Sequence, residues 1–344
     1  MVSSTSAVQE PNPVHIGHDG WLFLVSGSNS VLDLFKSESS FTDAHAKKWV
    51  SLLTQRRSRL AIKGIEYLHM PAPEKLTVLH KFYNGDIENI SGSPITQLSS
   101  RYQSEIPCFI NPLPFFAVQP EENPLFWKTD THWSFWGSFA AYQLICQRLG
   151  IGKGVSFPDH PYEDVCRYFD LGMKLDEPVK ETSRIFTVLQ NAERVSRNKM
   201  VAFKEDNNLE NAGNLHVGSS VVFRNEKAID PRKVVLFGDS FSEYRPLSLT
   251  GMVAETFAEV HFVWSSRLDF DFIESVNPDI VISELAERFM TRVPIDDLEL
   301  EEFVEQRIHE HLVSAKQAEP RQQTVMGQLH TAAKSLNKVI TKVA

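Results

Sequence analysis

Three apolar runs set the rhythm of the second half of the chain. KVVLF (233–237) is continuous, with no polar alternation, as expected of a strand covered on both faces. EVHFVW (259–264) and PDIVIS (278–283) repeat the pattern, with helix-like stretches between them. Strands in this rhythm predict a parallel sheet. The first half shows the same alternation. GWLFLV (20–25), behind a His-Asp-Gly turn, predicts a buried strand. Residues 42–63 place Ala44, Trp49, Val50, Leu53 and Leu60 at helical spacing and stop at Gly64. IEYLHM (65–70) follows as a strand closed by PAPEK. A further helix is predicted from Ser134 to Leu149, with Gly150 as its stop.

Other stretches read differently. Residues 1–14 are a polar lead-in with two prolines, and 84–107 read as an irregular crossing. Between 151 and 232 the helical period is weak. RIFTVL (184–189), MVAF (200–203) and SVVF (220–223) there predict a β-rich insertion. Residues 296–317 read as an acidic helix, broken by Pro320. Beyond it, Val325, Leu329, Ala332, Leu336, Val339 and Val343 form a heptad-like stripe. The segment 321–344 holds Arg321 and three lysines but no acid. It reads as a helix packed on its own domain, a self-association helix, or a basic helix on a membrane surface. The expected organisation is a lead-in (1–14), one α/β domain (15–300) with the insertion at 151–232, and a helical tail (301–344).

Composition narrows the function classes. With 344 residues the chain is long enough for a full core. A net charge of −9 argues against nucleic acid as the partner, because phosphate binding needs a basic face. Cys108, Cys146 and Cys166 lack the number for a disulfide framework and the spacing for structural zinc. No basic run followed by an apolar stretch reads as a secretory signal, and no apolar run reaches the length of a membrane span. The expectation is a cytoplasmic protein.

Two short motifs carry candidate chemistry. FWKTDTHWSFWGSF (126–139) puts Asp130 and His132 two residues apart, where a helix begins. KVVLFGDSFSEY (233–244) ends a buried strand in Gly238-Asp239-Ser240, with a polar helical segment expected next. The carboxyl end of a parallel strand is where ligands bind. Gly238 permits a sharp turn there. Ser240 would then stand at a helix N-terminus that favours developing negative charge. A serine hydroxyl needs a base, and His132 can be one; the imidazole needs an orienting acceptor, and Asp130 can supply it. No His-x-x-x-His pattern supports a metal, so none is expected.

GHDGWLFL (17–24), PAPEK (71–75), KTDTHW (128–133), DLG (170–172) and LFGDSF (236–241), with PDIVIS running into ELAER, resemble the SGNH-hydrolase-like domain of bacterial alginate O-acetyltransferases. The acid and base precede the serine, the order of a circularly permuted SGNH domain. The resemblance implies an α/β fold: an SGNH-hydrolase-like parallel sheet flanked by helices, circularly permuted, with the β-rich insertion and the helical tail. It also implies O-acetylation of a polysaccharide through an acetyl-serine, with Ser240 as nucleophile, His132 as base and Asp130 as orienter. A glycan acceptor and an acetyl donor, small molecule or protein, are then required, with no further cofactor. The best-known members of that family work in the periplasm, so a periplasmic or exported protein is the alternative.

For the oxyanion, the N–H of Ser240 is one donor and the loop at Ser265 and Ser266 a second. Where SGNH hydrolases place an asparagine, this chain offers Glu284, Glu287 and Arg288. A carboxylate does not donate, so Arg288 or a backbone amide is the candidate. Gly238 and Asp239 flank the nucleophile as further oxyanion or substrate candidates. Arg245 reads as a substrate contact or an exposed helix residue, and Trp133 as a sugar platform or core; Trp136 reads as core. An acetylesterase uses the same triad with water as acceptor. A non-catalytic glycan-binding or assembly protein would use the same cleft.

Overall fold

The computed structural model describes residues 12–26, 30–245 and 249–315. The described residues open with an antiparallel pair, β1 (Val14–Ile16) and β2 (Leu22–Leu24), around a turn in which Asp19 and Gly20 both take positive φ. The strand expected at 20–25 is therefore present and buried, but it stands outside the main sheet.

Helix α1 (Asp43–Ala61) starts at a Thr42–His45 capping box and buries Trp49, Leu53 and Leu60. Strand β3 (Glu66–Ala72) leads to a short helix, α2 (Lys75–Leu79). The stretch 84–107 is not wholly irregular. Ser93 caps α3 (Pro94–Tyr102), with Pro94 in its first turn and Ile95 and Leu98 buried. Its apolar face is only two or three residues wide, too thin to stand out among the serines.

After α4 (Leu113–Phe116) comes α5 (Phe135–Arg148), capped by Ser134, whose hydroxyl oxygen accepts from the N–H groups of Trp136 and Gly137. The next segment forms an antiparallel pair, β4 (Tyr162–Tyr168) with β5 (Lys180–Phe186). Strand β6 (Glu193–Arg197) follows. MVAF (200–203) is not a strand: it lies in helix α6 (Lys199–Asp206), because Asn198 accepts from Val201 N–H and nucleates a helical turn. SVVF is strand, within β7 (Ser220–Arg224).

Then come β8 (Asp230–Gly238), α7 (Leu249–Thr256), β9 (Phe257–Trp264), α8 (Phe270–Val276) and β10 (Ile280–Ala286). Among the described residues the last helix covers 300–315, inside the span expected at 296–317. The segment 321–344 lies outside the described residues.

The six-stranded sheet has the order β3-β10-β8-β9-β7-β6. Strands β3, β10, β8 and β9 are mutually parallel, while β7 and β6 add on antiparallel. The unbroken apolar runs have a simple cause. Val234 and Leu236 point into one core, shared with α5 and α7; Val235 and Phe237 point into the other, under α1, α3 and α8. Every position from Val234 to Gly238 is therefore covered. The carboxyl ends of the four parallel strands lie together, which brings Pro73–Lys75, Gly238–Ser240, Trp264–Ser266 and Glu284–Arg288 to one edge. Among the described residues, no helix is long and apolar enough to cross a membrane.

Candidate active site

The two motifs meet at that edge. His132 Nε2 lies 2.8 Å from Ser240 Oγ, and His132 Nδ1 lies 2.7 Å from Asp130 Oδ1. Asp130 Oδ1 also accepts the His132 backbone N–H at 2.9 Å. A carboxylate on Nδ1 fixes the proton there and leaves Nε2 to accept from the serine. Burial works to raise the Asp130 pKa, but the hydrogen bonds and charge of His132 overcome it and hold the carboxyl well below its usual range. For His132, burial works downward, and the bond and charge of Asp130 more than reverse it, so the imidazole pKa is raised. The His132 side chain is 33% exposed, enough for a reacting group to reach it.

The Asp130–His132 loop is gripped from several sides. A bridge between Phe126 and Trp133 closes it, and Ser134 N–H bonds Leu125 O. Gly137 sits in the first turn of α5 because a Cβ there would meet Leu125 O at 2.2 Å. Glu181 of β5 accepts from the N–H groups of Lys128 and Thr129 and from the Thr129 hydroxyl. Asp170 accepts from Thr131 N–H at 2.8 Å and its hydroxyl at 2.6 Å. Burial, then the charge of Asp130, raise the Asp170 pKa.

Below the loop, the buried Lys75 donates to the carbonyls of Leu22, Trp127 and Lys128. Its ammonium thus ties β2 to the loop. Burial lowers its pKa to about 8, against the pull of Asp130 and other acids. Lys75, Asp170 and Glu181 were not assigned to the site from sequence. The first two fall in PAPEK and DLG, which marked them only as parts of a motif.

The serine turn differs from expectation. No helix begins at Ser240; residues 239–245 form a turn, and α7 starts at Leu249. Ser242 and Glu243 N–H both bond Asp239 O, while Ser240 N–H has no acceptor among the described residues. Gly238 is required: a Cβ would come within 2.6 Å of Ser242 Cβ. Asp239 is not turned to a ligand. Its oxygens accept Phe241 N–H at 2.9 Å and Ala286 N–H at 2.7 Å, which pins the turn to the end of β10.

Ser265 has no donor to offer an oxyanion. Its N–H bonds Gly238 O at 3.0 Å and its hydroxyl bonds Arg267 O at 2.9 Å. The neighbouring Ser266 N–H has no acceptor among the described residues and borders the same cleft as Ser240. Arg288 is buried, ion-paired with Glu74 at 2.9 Å, and lies over the Phe241 ring. Its terminal nitrogens have no partner among the described residues, and it borders the Ser240 cleft.

Ser240 stands between two hollows. One, of about 530 Å³, contains His132 and is walled by Trp127, Phe169 and the β4–β5 pair. Arg245 borders it from the serine turn, not from a helix, paired with Glu243. The other, of about 730 Å³, contains Arg288, Ser265 and Ser266. His216, stacked on Trp264 with ring centroids 4.6 Å apart, borders both. Burial pushes the His216 imidazole down to about 4, helped by Lys204 and Arg245. Trp133 is only 5% exposed and packs edge-on against Phe241 and Phe116, a core position at the rim. Trp136 packs against Phe135, Phe139 and Phe186. Asp130, His132 and Asp170 place three possible ligand atoms within 4.8 Å. His132 Nδ1 and Asp130 are already bonded to each other, and Asp170 to Thr131, so internal hydrogen bonds satisfy the set.

Residues 14–162 match the family described as the SGNH hydrolase-like domain of acetyltransferase AlgX. That match spans less than half of the chain. Solved structures of similar fold include the O-acetyltransferase domain of Pseudomonas putida AlgJ, 15% identical with a TM-score of 0.52, covering 86% of this chain and 99% of that one. Bacillus cereus PatB1 is 15% identical with a TM-score of 0.53, covering 81% and 97%. A DHHW family protein from Eubacterium siraeum is 12% identical with a TM-score of 0.56, covering 83% and 94%. At these identities the likeness is one of fold. No curated protein matches the chain.

Proposed function

We propose that this protein is alginate O-acetyltransferase-like and moves acetyl groups onto a polysaccharide through an acetyl-serine at Ser240. The observation that carries the reading is the row Ser240–His132–Asp130, with spacings of 2.8 and 2.7 Å, at the carboxyl edge of the parallel sheet. His132 Nε2 takes the Ser240 proton as Oγ attacks the carbonyl carbon of the donor. The Asp130 carboxylate holds the imidazolium that forms. The negative charge on the carbonyl oxygen falls to the unengaged Ser240 N–H, with Arg288 and the Ser266 N–H as the further donors in that cleft. Collapse expels the donor's alcohol or thiol, which receives the proton from His132. A sugar hydroxyl then enters on the His132 side, gives its proton to Nε2, and attacks the acetyl carbonyl. The product ester leaves and Ser240 recovers its proton.

The hollow beside His132 suits a sugar acceptor, since the aromatic residues Trp127, Tyr168 and Phe169 line it. An acetylesterase is the second reading, favoured by the exposure of His132, which lets water reach Nε2. We also infer a permuted SGNH order, because the acid–base loop precedes the nucleophile strand.

The test is a burst assay with 4-nitrophenyl acetate on the parent protein and Ser240→Ala, followed by addition of candidate glycans. A stoichiometric burst absent from the variant, with acetyl then passing to a glycan, is the expected result. A burst followed only by release of acetate would select the esterase. No burst, with glycan binding unchanged in Ser240→Ala, would select a non-catalytic binding protein.

A further inference from the structure

Glu284 lies beneath the nucleophile turn, in β10, and is only 1% exposed. Its Oε2 accepts the Asp239 N–H at 3.1 Å and the Ser242 hydroxyl at 2.8 Å. These residues bracket Ser240. Gly238 makes the approach possible, since a Cβ there would stand 3.1 Å from Oε2. The other oxygen, Oε1, is buried and has no hydrogen-bond partner among the described residues. Asp239, whose N–H Glu284 holds, is itself a buried acid, and its own oxygens are taken up by Phe241 and Ala286 N–H.

Two buried acids on directly bonded residues cannot both be ionised without strong repulsion. A proton on Glu284 removes that repulsion and turns the orphaned oxygen into a donor. Burial, then the charge of Asp239, push the Glu284 pKa well above the carboxylate range, in agreement with this geometry. The other charges packed nearby are Glu74, after β3, and Arg288, after β10, and they pair with each other.

We propose that Glu284 is a positioning residue for Ser240, a neutral carboxyl clamp that ties Asp239 to Ser242 and keeps the serine in line with His132. This rests on the acyl-serine reading above. When the clamp loses its proton, two negative charges meet under the turn, the turn shifts, and Ser240 leaves hydrogen-bonding range of Nε2. Acylation then falls on the alkaline side through a group other than the catalytic histidine.

The experiment follows the burst rate with 4-nitrophenyl acetate against pH in the parent, Glu284→Gln, Glu284→Ala and Ser242→Ala, with thermal unfolding recorded at each pH. A glutamine keeps an acceptor for Asp239 N–H and Ser242 and does not ionise. The expected Glu284→Gln protein acylates like the parent near neutrality and lacks its alkaline fall. Glu284→Ala is expected to be slower by about 100-fold, the scale of a displaced reacting group. Ser242→Ala, which removes one arm of the clamp, should lie between. An unchanged alkaline fall in Glu284→Gln, or parental rates in Glu284→Ala, would overturn the proposal. If the parent shows no burst, the acyl-serine reading fails, and unfolding alone decides on the clamp. The parent should then lose thermal stability relative to Glu284→Gln as pH rises above the usual carboxylate range. Parallel curves would overturn it.

Discussion

At the scale of single residues, the site depends on who holds which proton. Asp130 is held ionised by His132, and His132 is made more basic by Asp130. The raised imidazole pKa has a definite sign. Acylation needs neutral His132, so the acid limb of its pH profile should have its midpoint above about 6.5, the ordinary histidine value. The stability this raised pKa contributes is fully present below about 6.5 and is lost as pH rises through the folded value. Asp130→Asn should leave Ser240 in place but favour the wrong tautomer, lowering the acylation rate by about 10⁴-fold. A stopped-flow burst measurement reads this directly, and near-parental rates in Asp130→Asn would mean that another group orients the imidazole.

At the scale of elements, the acid–base loop is held by parts of the chain far apart in sequence. Glu181 comes from β5, Asp170 from the segment before it, and Lys75 from the first turn of α2. The β-rich stretch between 151 and 232 therefore supports the site rather than simply decorating it. Glu181→Ala strips three donors of their acceptor, two of them backbone N–H groups. A cost of about 1–3 kcal/mol is expected in a denaturant titration, together with slower acylation. Full stability with slower acylation would show that Glu181 acts on loop position alone.

This is also the scale at which the sequence was least readable. Ser240, His132 and Asp130 were legible because their chemistry and their place beside a strand end or a helix start coincide. Asp170 and Glu181 were not, since an acid that accepts from a loop backbone looks the same in sequence as one that faces water. Ser265 was misjudged because a polar residue in the right loop says nothing of whether its N–H is already engaged. The apolar runs of β8 and β10 fixed their burial in advance, whereas MVAF has strand-like composition and became helical through Asn198.

At the scale of the whole molecule, every group placed in the site falls between Leu22 and Arg288, and the sheet carrying it has its two cores on opposite faces. Removing 321–344 should therefore leave the burst unchanged, whatever that segment does for association. A burst lost on truncation, in a protein that still melts cooperatively, would place part of the machinery in the tail. The sheet itself is less forgiving. Phe237 is fully buried in β8, immediately before Gly238. Phe237→Ala should cost about 3–5 kcal/mol in chemical denaturation, and a much smaller loss would mean that the core beneath the nucleophile strand refills the cavity.

The central claim is that the acetyl group passes through one side chain. The most direct measurement is peptide mapping by mass spectrometry of protein acid-quenched during the 4-nitrophenyl acetate burst. One acetyl group on the peptide containing Ser240, absent from His132→Ala quenched at the same time, is the predicted result. An acetyl group found only on lysines, or a Ser240 adduct forming equally fast without His132, would contradict the account.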